Sequence, residues 1–269
     1  MPITIGPGWT IGPGFTATSS ISPPTFSGFT TPATMNGDTN QAQMTSVTVN
    51  SSGLFVAVGY IGNTDLPLFA TSTNGSTWTT PATMNGSTTF TRINGVTVNL
   101  SGLFVAVGYN LSAYPVYATS TNGSTWTTPA AMNGTTTAAY MYGVTVNSSG
   151  LFVAVGYDGN APIAPVYATS TNGTAWTTPA AMNGSTTNTR MSGVTVNSSG
   201  LFVAVGFFTT TNYSAYATST DGSTWTTPAT MNGSSTDAQM NGVTVNSSGL
   251  FVAVGFINAT RYPVYAVGS

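Results

Sequence analysis

One motif recurs five times along this chain of 269 residues. Copies of GVTVNSSGLFVAVG, or near matches, start at Ser46, Gly95, Gly143, Gly193 and Gly242, spaced by 48 to 50 residues. A fixed period of this length is typical of supersecondary units that stack or surround an axis, because one unit alone cannot bury its apolar face. The period therefore restricts the chain to a repeat architecture.

Each repeat reads as four short strands, without a helical pattern. The segment GVTV alternates and ends at the turn NSSG, and LFVAVG is a continuous apolar run, typical of a strand covered on both faces. The third strand, YATST, leads to Asn-Gly or Asp-Gly, which predicts a hairpin with a type I′ turn. The fourth, STWTTPA, contains a proline, which suits an outer strand. Four antiparallel strands per unit predict the blades of a β-propeller.

The two ends of the chain predict how the ring closes. The last repeat stops after its third strand, and residues 26–37, FSGFTTPATMNG, match GSTWTTPATMNG with Phe29 at the position of Trp78. We expect an all-β protein, a five-bladed β-propeller over residues 26–269, in which the N-terminal strand completes the last blade and closes the ring. Residues 1–25 form a separate arm rich in Gly and Pro.

The turn STNGSTW resembles the Asp-box, or BNR, repeats of sialidase-like β-propellers, whose pattern is Ser-x-Asp-x-Gly-x-Thr-Trp. Four repeats carry it, with a turn one residue shorter and with Asn in place of Asp in three copies. The resemblance implies a structural turn away from any active site, so Ser72, Asn74, Gly75 and Trp78 are interpreted as structural. Asp221 has no second carboxylate beside it, and we predict neither a metal nor a cofactor.

Charge is scarce, at 3% of residues compared with roughly a quarter in ordinary domains. Three arginines and no lysine cannot neutralise a run of phosphates, which argues against nucleic-acid binding. The sequence contains no apolar run of about 18 residues, so we do not expect membrane insertion. The N-terminus shows no recognisable signal peptide. A surface of Thr, Ser, Asn and Gly is common on extracellular and virion proteins, and the TIG repeats of the arm resemble segments of bacteriophage virion proteins. We therefore expect a virion or extracellular location.

The repeats differ mainly in two windows, before the first strand and between the second and third strands. Both windows lie at one end of an antiparallel blade, so one face of the disc should carry the variation, although loop drift alone remains an alternative. The residues just before the first strand are expected to surround the mouth of the central channel: Gln43, Arg92, Tyr140, Arg190 and Gln239. Further candidate ligand-binding residues on that face are Tyr114, Tyr142, Tyr213, Tyr262, Asp65, Asp158 and Arg261.

Long polar side chains beside aromatic rings at a channel mouth suit carbohydrate recognition. The chain lacks Glu, His, Lys and Cys, the commonest general bases and nucleophiles, so we expect it not to be an enzyme. The predicted function is lectin-like binding of a glycan or cell-surface polymer. The alternative is a structural or decoration protein that contacts neighbouring subunits. The arm, with Trp9 and Phe15, is expected to pack on other subunits of an assembly or on its own propeller.

Overall fold

The computed structural model describes residues 3–4, 10–11, 31, 33–35, 41–85, 90–134, 138–160, 162–184, 188–233 and 237–269. The chain divides into two compact units, Met1–Ala33 and Thr34–Ser269. In the first unit, β1 (Ile3–Thr4) pairs antiparallel with β2 (Thr10–Ile11). Thr4 lies opposite Thr10, so the two copies of TIGPG begin at facing residues of this short ribbon.

The second unit is a five-bladed β-propeller, which confirms the fold class predicted from the repeat. Each blade is one antiparallel sheet whose strands follow one another in chain order. The strands are β3 (Ala42–Val49), β4 (Phe55–Ile61), β5 (Pro67–Ser72) and β6 (Ala82–Thr83) in blade 1; β7 (Thr91–Val98), β8 (Phe104–Asn110), β9 (Pro115–Ser120) and β10 (Ala130–Ala131) in blade 2; β11 (Ala139–Val146), β12 (Phe152–Asp158), β13 (Ala164–Ser170) and β14 (Ala180–Ala181) in blade 3; β15 (Thr189–Val196), β16 (Phe202–Phe208), β17 (Ser214–Ser219) and β18 (Ala229–Thr230) in blade 4; and β19 (Ala238–Val245), β20 (Phe251–Ile257) and β21 (Pro263–Gly268) in blade 5.

Helix is confined to single turns in the described part of the chain. Three 3₁₀ helices follow the fourth strands of blades 2, 3 and 4, at Met132–Gly134, Met182–Gly184 and Met231–Gly233. In each, the central asparagine has left-handed backbone angles, such as φ 45° and ψ 40° at Asn133. None of the described helices has the length and apolarity needed to cross a membrane.

The first strand of every blade is longer than the predicted GVTV. In blade 2 it begins at Thr91, and the register shifts between Ile93 and Gly95, so that Asn94 has no partner in the ladder. The same irregularity occurs in all five blades. A bulge leaves one residue unpaired and re-aims its side chain. The five residues at this position, here called the bulge residues, are Thr45, Asn94, Tyr142, Ser192 and Asn241.

The Asn-Gly turn does not have the predicted type I′ geometry. Gly75 has a φ of +74°, whereas Asn74 is outside the left-handed region. The Asn74 side chain organises the turn instead, because its Oδ1 accepts hydrogen bonds from the backbone N–H groups of Ser76 at 2.9 Å and Thr77 at 2.8 Å. A type I′ turn requires positive φ at both central residues, so here a side-chain cap replaces the predicted backbone geometry.

The fourth strand is also shorter than the predicted STWTTPA. In blade 1 it consists of Ala82–Thr83 and begins after the proline. The preceding segment is held by Thr79, whose N–H donates to the carbonyl of Thr71 at 2.9 Å and whose Oγ1 accepts from the N–H of Thr71 at 2.9 Å. A threonine hydroxyl thus replaces one carbonyl of the ladder, and the segment is a capped loop rather than a strand.

Aromatic pairs join blade 1 to blade 2, blade 2 to blade 3 and blade 3 to blade 4. The third strands of blades 1, 2 and 3 each place a ring 6.2 to 6.3 Å from the tryptophan of the following blade, in the pairs Phe69–Trp126, Tyr117–Trp176 and Tyr167–Trp225. These tryptophans are 2% to 4% exposed, and each indole N–H donates to a glycine carbonyl of its own turn. The hydrophobic core therefore lies between the blades.

Blade 5 has three strands in the described part of the chain. A cleft of about 720 Å³ lies between it and blade 4, and Val205, Tyr216, Met240 and Val264 are among its lining residues. Tyr216 occupies the position of Tyr167 but is 37% exposed. The prediction that residues 26–37 complete this blade concerns residues most of which lie outside the described part, so it stays a prediction.

Candidate functional site

In every blade, the loop after the second strand is hydrogen-bonded to the segment before the first strand. The backbone N–H of Leu111, for example, donates to the carbonyl of Phe90 at 3.0 Å. The equivalent pairs are Gly62–Gln41, Gly159–Ala138, Thr209–Asn188 and Asn258–Asp237. The two variable windows therefore lie at the same end of each blade, as predicted, and together form what we call the variable face.

A cavity of about 350 Å³, here called the central cavity, is lined by residues of all five blades. Each blade contributes its bulge residue, and the other lining residues are Tyr60, Tyr157, Arg190, Met191 and Phe207. Two bulge residues also hold neighbouring inner strands together: Thr45 Oγ1 donates to the carbonyl of Ile93 at 2.9 Å, and Asn94 Nδ2 to that of Met141 at 2.8 Å. A concave site with aromatic faces and a few polar groups is typical of small-molecule binding.

Four tyrosines of blades 2 and 3 contact one another, and we call them the tyrosine cluster: Tyr109, Tyr140, Tyr142 and Tyr157. Tyr142 and Tyr157 line the central cavity. The Tyr157 ring stacks on Tyr140 at 4.8 Å and on Tyr142 at 5.7 Å, measured between ring centres. Tyr109 meets Tyr140 edge-on at 4.7 Å. At the repeat positions of Tyr140 and Tyr142 the other blades carry Gln or Arg and Thr, Asn or Ser. The cluster therefore makes the five-fold ring asymmetric.

The phenol groups of Tyr109 and Tyr142 have raised pKa values and remain protonated at neutral pH. Burial raises the pKa of Tyr142, and the neighbouring phenols of Tyr157 and Tyr109 raise it further. Burial also raises the pKa of Tyr109, against the opposing effect of Arg92. A protonated phenol can both donate and accept a hydrogen bond, so the tyrosines present aromatic faces together with polar edges.

Two arginines at the same repeat position have different surroundings. The Arg92 Nε lies 2.8 Å from Asp65 Oδ1, and this hydrogen bond raises the pKa of Arg92. The guanidinium carbon of Arg190 lies 4.4 Å from the centre of the Tyr157 ring, and its buried Nε has no hydrogen-bond partner among the described residues. Arg190 therefore lies on the central cavity wall and forms no ion pair with any carboxylate in the described part of the chain.

A second cavity of about 270 Å³, here called the rim cavity, lies on the variable face. It is lined by Asp65, Phe90, Arg92, Tyr109, Asn110, Leu111 and Tyr140. Phe90 and Leu111 come from the two variable windows and are 49% and 75% exposed. The ion pair of Arg92 and Asp65 supplies the charged groups of the rim cavity. Among the described residues, no group of three His, Cys, Asp or Glu side chains is placed to hold a metal ion.

The predicted channel-mouth ring is displaced in the structure. Of its five members, Arg190 lines the central cavity, whereas Gln43, Arg92, Tyr140 and Gln239 are not among the lining residues. All five lie within the first strand, because that strand begins earlier than predicted. The ring that lines the cavity stands two residues later, at the bulge residues. Sequence reasoning missed Thr45, Asn94, Ser192 and Asn241. Their signal was variation at the residue before Gly-Val-Thr-Val, a motif that blade 1 carries as Ser-Val-Thr-Val.

The remaining candidates are distributed between the two cavities and the loops. Tyr142 lines the central cavity, and Asp65, Arg92 and Tyr140 line the rim cavity. The others line neither cavity.

These remaining candidates contact other residues of the blades and loops. Gln43 accepts a hydrogen bond from the Tyr60 hydroxyl at 2.9 Å, and Gln239 donates one to Asn212 Oδ1 at 3.2 Å. Asp158 accepts a hydrogen bond from Asn160, and the backbone N–H of Tyr114 donates one to Asn110. Arg261 stacks on Phe256 at 4.7 Å, Tyr213 forms a β-bridge with Asp237, and Tyr262 is exposed.

The fold is shared with solved structures of sialidases and other carbohydrate-active proteins. A Hadza microbial sialidase aligns with a TM-score of 0.58 at 13% identity, over 84% of this chain and 58% of that one. An exo-β-1,3-galactanase from Phanerochaete chrysosporium gives 0.54 at 12%, over 85% and 59%. An endo-arabinase from Bacteroides thetaiotaomicron gives 0.54 at 10%, over 85% and 92%. The chain thus spans about three fifths of the sialidase and the galactanase. No protein-family model and no curated protein matches the sequence.

These comparisons contradict the expectation that the chain is not an enzyme. The three structures named above are of a sialidase, a galactanase and an arabinase, so the fold gives no support to that expectation, which was wrong. It depended on the absence of Glu, His, Lys and Cys, but Asp carboxylates and Tyr hydroxyls can also transfer protons. Identities of 10% to 13% show the fold and do not assign a reaction to this chain.

Proposed function

We propose that this propeller binds carbohydrate in its central cavity. The observation that carries the proposal is the lining itself, in which two stacked tyrosines, the Arg190 guanidinium over Tyr157 and one bulge residue from each blade converge. A sugar ring has an apolar face that suits an aromatic wall, and its hydroxyls can donate to and accept from Asn amides and Ser or Thr hydroxyls. Five blades therefore supply one asymmetric site rather than five equal ones.

The comparisons support the same class of ligand. The sialidase, the galactanase and the arabinase are named for reactions on carbohydrates, and each shares this propeller fold. Fold alone is weak support for function, because sites and not folds determine chemistry. The location of the protein, on a virion or another extracellular assembly, stays a prediction from the sequence.

The test is binding of the full-length protein to a broad array of microbial and animal glycans, beside a Tyr142→Asn variant. This change removes one aromatic side chain from the cavity lining and creates the Asn-Gly-Val-Thr-Val sequence that blades 2 and 5 already contain, so we expect the variant to fold. Gln239→Ala is the control, since Gln239 lies outside both cavities. We expect selective binding that Tyr142→Asn reduces about tenfold or more and that Gln239→Ala retains.

Each outcome of that experiment is informative. Binding that Tyr142→Asn leaves intact would place the site outside the central cavity. Release of reducing sugar from a bound glycan would show that the site also carries out hydrolysis. Absence of binding to every glycan would contradict the proposal.

One observation favours the alternative, a structural protein that contacts neighbouring subunits. In the described part of the chain, blade 5, which residues 26–37 are predicted to complete, has exposed apolar side chains, with Tyr265 at 76%, Val267 at 58% and Val254 at 52%. Exposed apolar surface of this kind marks protein contacts when it is contiguous. Sedimentation velocity over a hundredfold range of protein concentration tests this alternative, and a monomer at every concentration would exclude self-association through this blade.

A further inference from the structure

We propose that the ligand is an oligosaccharide that occupies the central and rim cavities together, with consecutive sugar residues on either side of the tyrosine cluster. This inference rests on the proposed function and specifies its ligand as a chain of linked sugars rather than a free monosaccharide. It also assigns a binding role to the rim cavity, whose lining includes exposed apolar side chains on the variable face.

The sizes of the cavities favour a ligand that spans both. The central cavity measures about 350 Å³ and the rim cavity about 270 Å³. Sites for small organic ligands usually begin at about 300 Å³, so each cavity alone fits little more than one sugar ring. A chain of linked sugars can fill both cavities and gain contacts in each.

The tyrosine cluster connects the two cavities. Tyr140 lines the rim cavity and stacks on Tyr157, which lines the central cavity, with 4.8 Å between the ring centres. Tyr109 lines the rim cavity and lies 6.1 Å from Tyr142 of the central cavity. The cavities are therefore separated by little more than one pair of rings, and a ligand that passes between them stays in contact with aromatic surface.

The rim cavity has the groups that a second sugar residue needs. Phe90 offers an exposed aromatic face, and the side chain of Asn110 supplies an amide. The ion pair holds the Arg92 guanidinium in a fixed place, so its remaining N–H groups can donate to sugar hydroxyls. Because Asp65 already neutralises Arg92, this cavity suits a neutral sugar residue as well as a charged one.

The test compares monosaccharides with trisaccharides of the same sugar. Calorimetry would measure binding of the full-length chain to galactose and β-1,3-galactotriose, to arabinose and arabinotriose, and to N-acetylneuraminic acid and its trimer. In the series that binds, we expect the trisaccharide to bind at least about tenfold more tightly than the monosaccharide, the effect of one additional aromatic contact.

Variants then locate the second contact. Phe90→Ala changes an exposed side chain and should reduce trisaccharide affinity about tenfold while leaving monosaccharide affinity unchanged. Gln239→Ala, at the repeat position of Arg92 but outside both cavities, should change neither affinity. Equal affinities for monosaccharide and trisaccharide, or a trisaccharide insensitive to Phe90→Ala, would overturn this inference and leave the proposed function standing. Absence of binding in these series and to every glycan of the array would overturn both.

Discussion

The guanidinium group of Arg190 lies over the Tyr157 ring, with 4.4 Å between the guanidinium carbon and the ring centre. Arg92, at the same repeat position two blades earlier, also lies over a ring, that of Tyr60 at 4.7 Å, and is in addition paired with Asp65. Stacking on an aromatic ring fixes the position of a cation without neutralising it. One repeat position thus carries an ion-paired arginine in blade 2 and, in blade 4, an arginine beside the central cavity that forms no ion pair with any described carboxylate.

The ion pair of Arg92 and Asp65 should contribute little to stability. Both side chains are partly exposed, at 36% and 25%, and pairs of this kind are coupled by about 0.2–1 kcal/mol. A double-mutant cycle with Arg92→Gln and Asp65→Asn, measured by urea unfolding, should give a coupling in this range that decreases in 1 M salt. The same cycle with Arg190→Gln in place of Arg92→Gln should show no coupling, and a coupling well above 1 kcal/mol in the first cycle would contradict the prediction.

The buried tryptophan between blades 1 and 2 should be among the most important side chains for stability. Trp126 is 2% exposed and packs on Phe69, so Trp126→Ala should cost about 3–5 kcal/mol in the free energy of unfolding. Trp78 occupies the same repeat position but is only half-buried, so Trp78→Ala should cost clearly less. Chemical unfolding of the two variants checks this, and equal losses would argue against the inter-blade core.

Gly108 should tolerate no side chain. A Cβ atom at this position would overlap the backbone carbonyl oxygen of Arg92 on the neighbouring strand, where neither atom can move without breaking the ladder. Gly108→Ala should therefore abolish folding or reduce stability by about 3 kcal/mol or more.

Gly102 is the matched control, because it has a φ of +86° and open space around its Cβ position. Gly102→Ala should cost only about 1–2 kcal/mol, the strain of a left-handed alanine. Thermal melts of both variants separate a steric collision from backbone strain. The interpretation fails if Gly102→Ala is the more damaging of the two.

Asp221 should make stability dependent on pH in the acidic range. Hydrogen bonds from the backbone N–H groups of Thr224 and Ser223 lower the pKa of its carboxyl group in the folded state. A lowered folded-state pKa stabilises the protein above the unfolded-state pKa of about 3.9, and this contribution is lost as the pH falls below that value. Asp221→Asn should therefore weaken the decrease in melting temperature below about pH 4.

The reverse substitution provides the control. The turns of blades 1, 2 and 3 carry Asn at this position, and Asn122 Oδ1 accepts the same two backbone hydrogen bonds, from Ser124 at 3.0 Å and Thr125 at 2.8 Å. Asn122→Asp should add an acid-sensitive contribution like that of Asp221. Parallel pH dependence in all variants would show that these carboxylates are not linked to folding.

Much of the fold could be predicted because residues close together in each repeat specify its strands and turns. The period of the motif, the apolar run of the second strand and the Asn-Gly turns specify a four-stranded blade, and the tryptophan that follows fills the space between blades. The predicted turn and fourth strand were wrong where side-chain hydrogen bonds replace backbone ones. Thr79 caps the strand that it was expected to continue, and Asn74 organises a turn whose backbone is not type I′.

The formation of blades and the position of the variable windows at one end of them could be predicted, because both depend on residues close together in the chain. Which side chains meet depends on how the blades pack. The bulge at Tyr142 depends on pairing between two strands, and the contact of Tyr109 with Tyr140 joins two blades. Contacts across a ring depend on the angle and spacing of whole sheets, which no single repeat encodes. For this reason the sequence placed the channel ring two residues away from the residues that line the cavity.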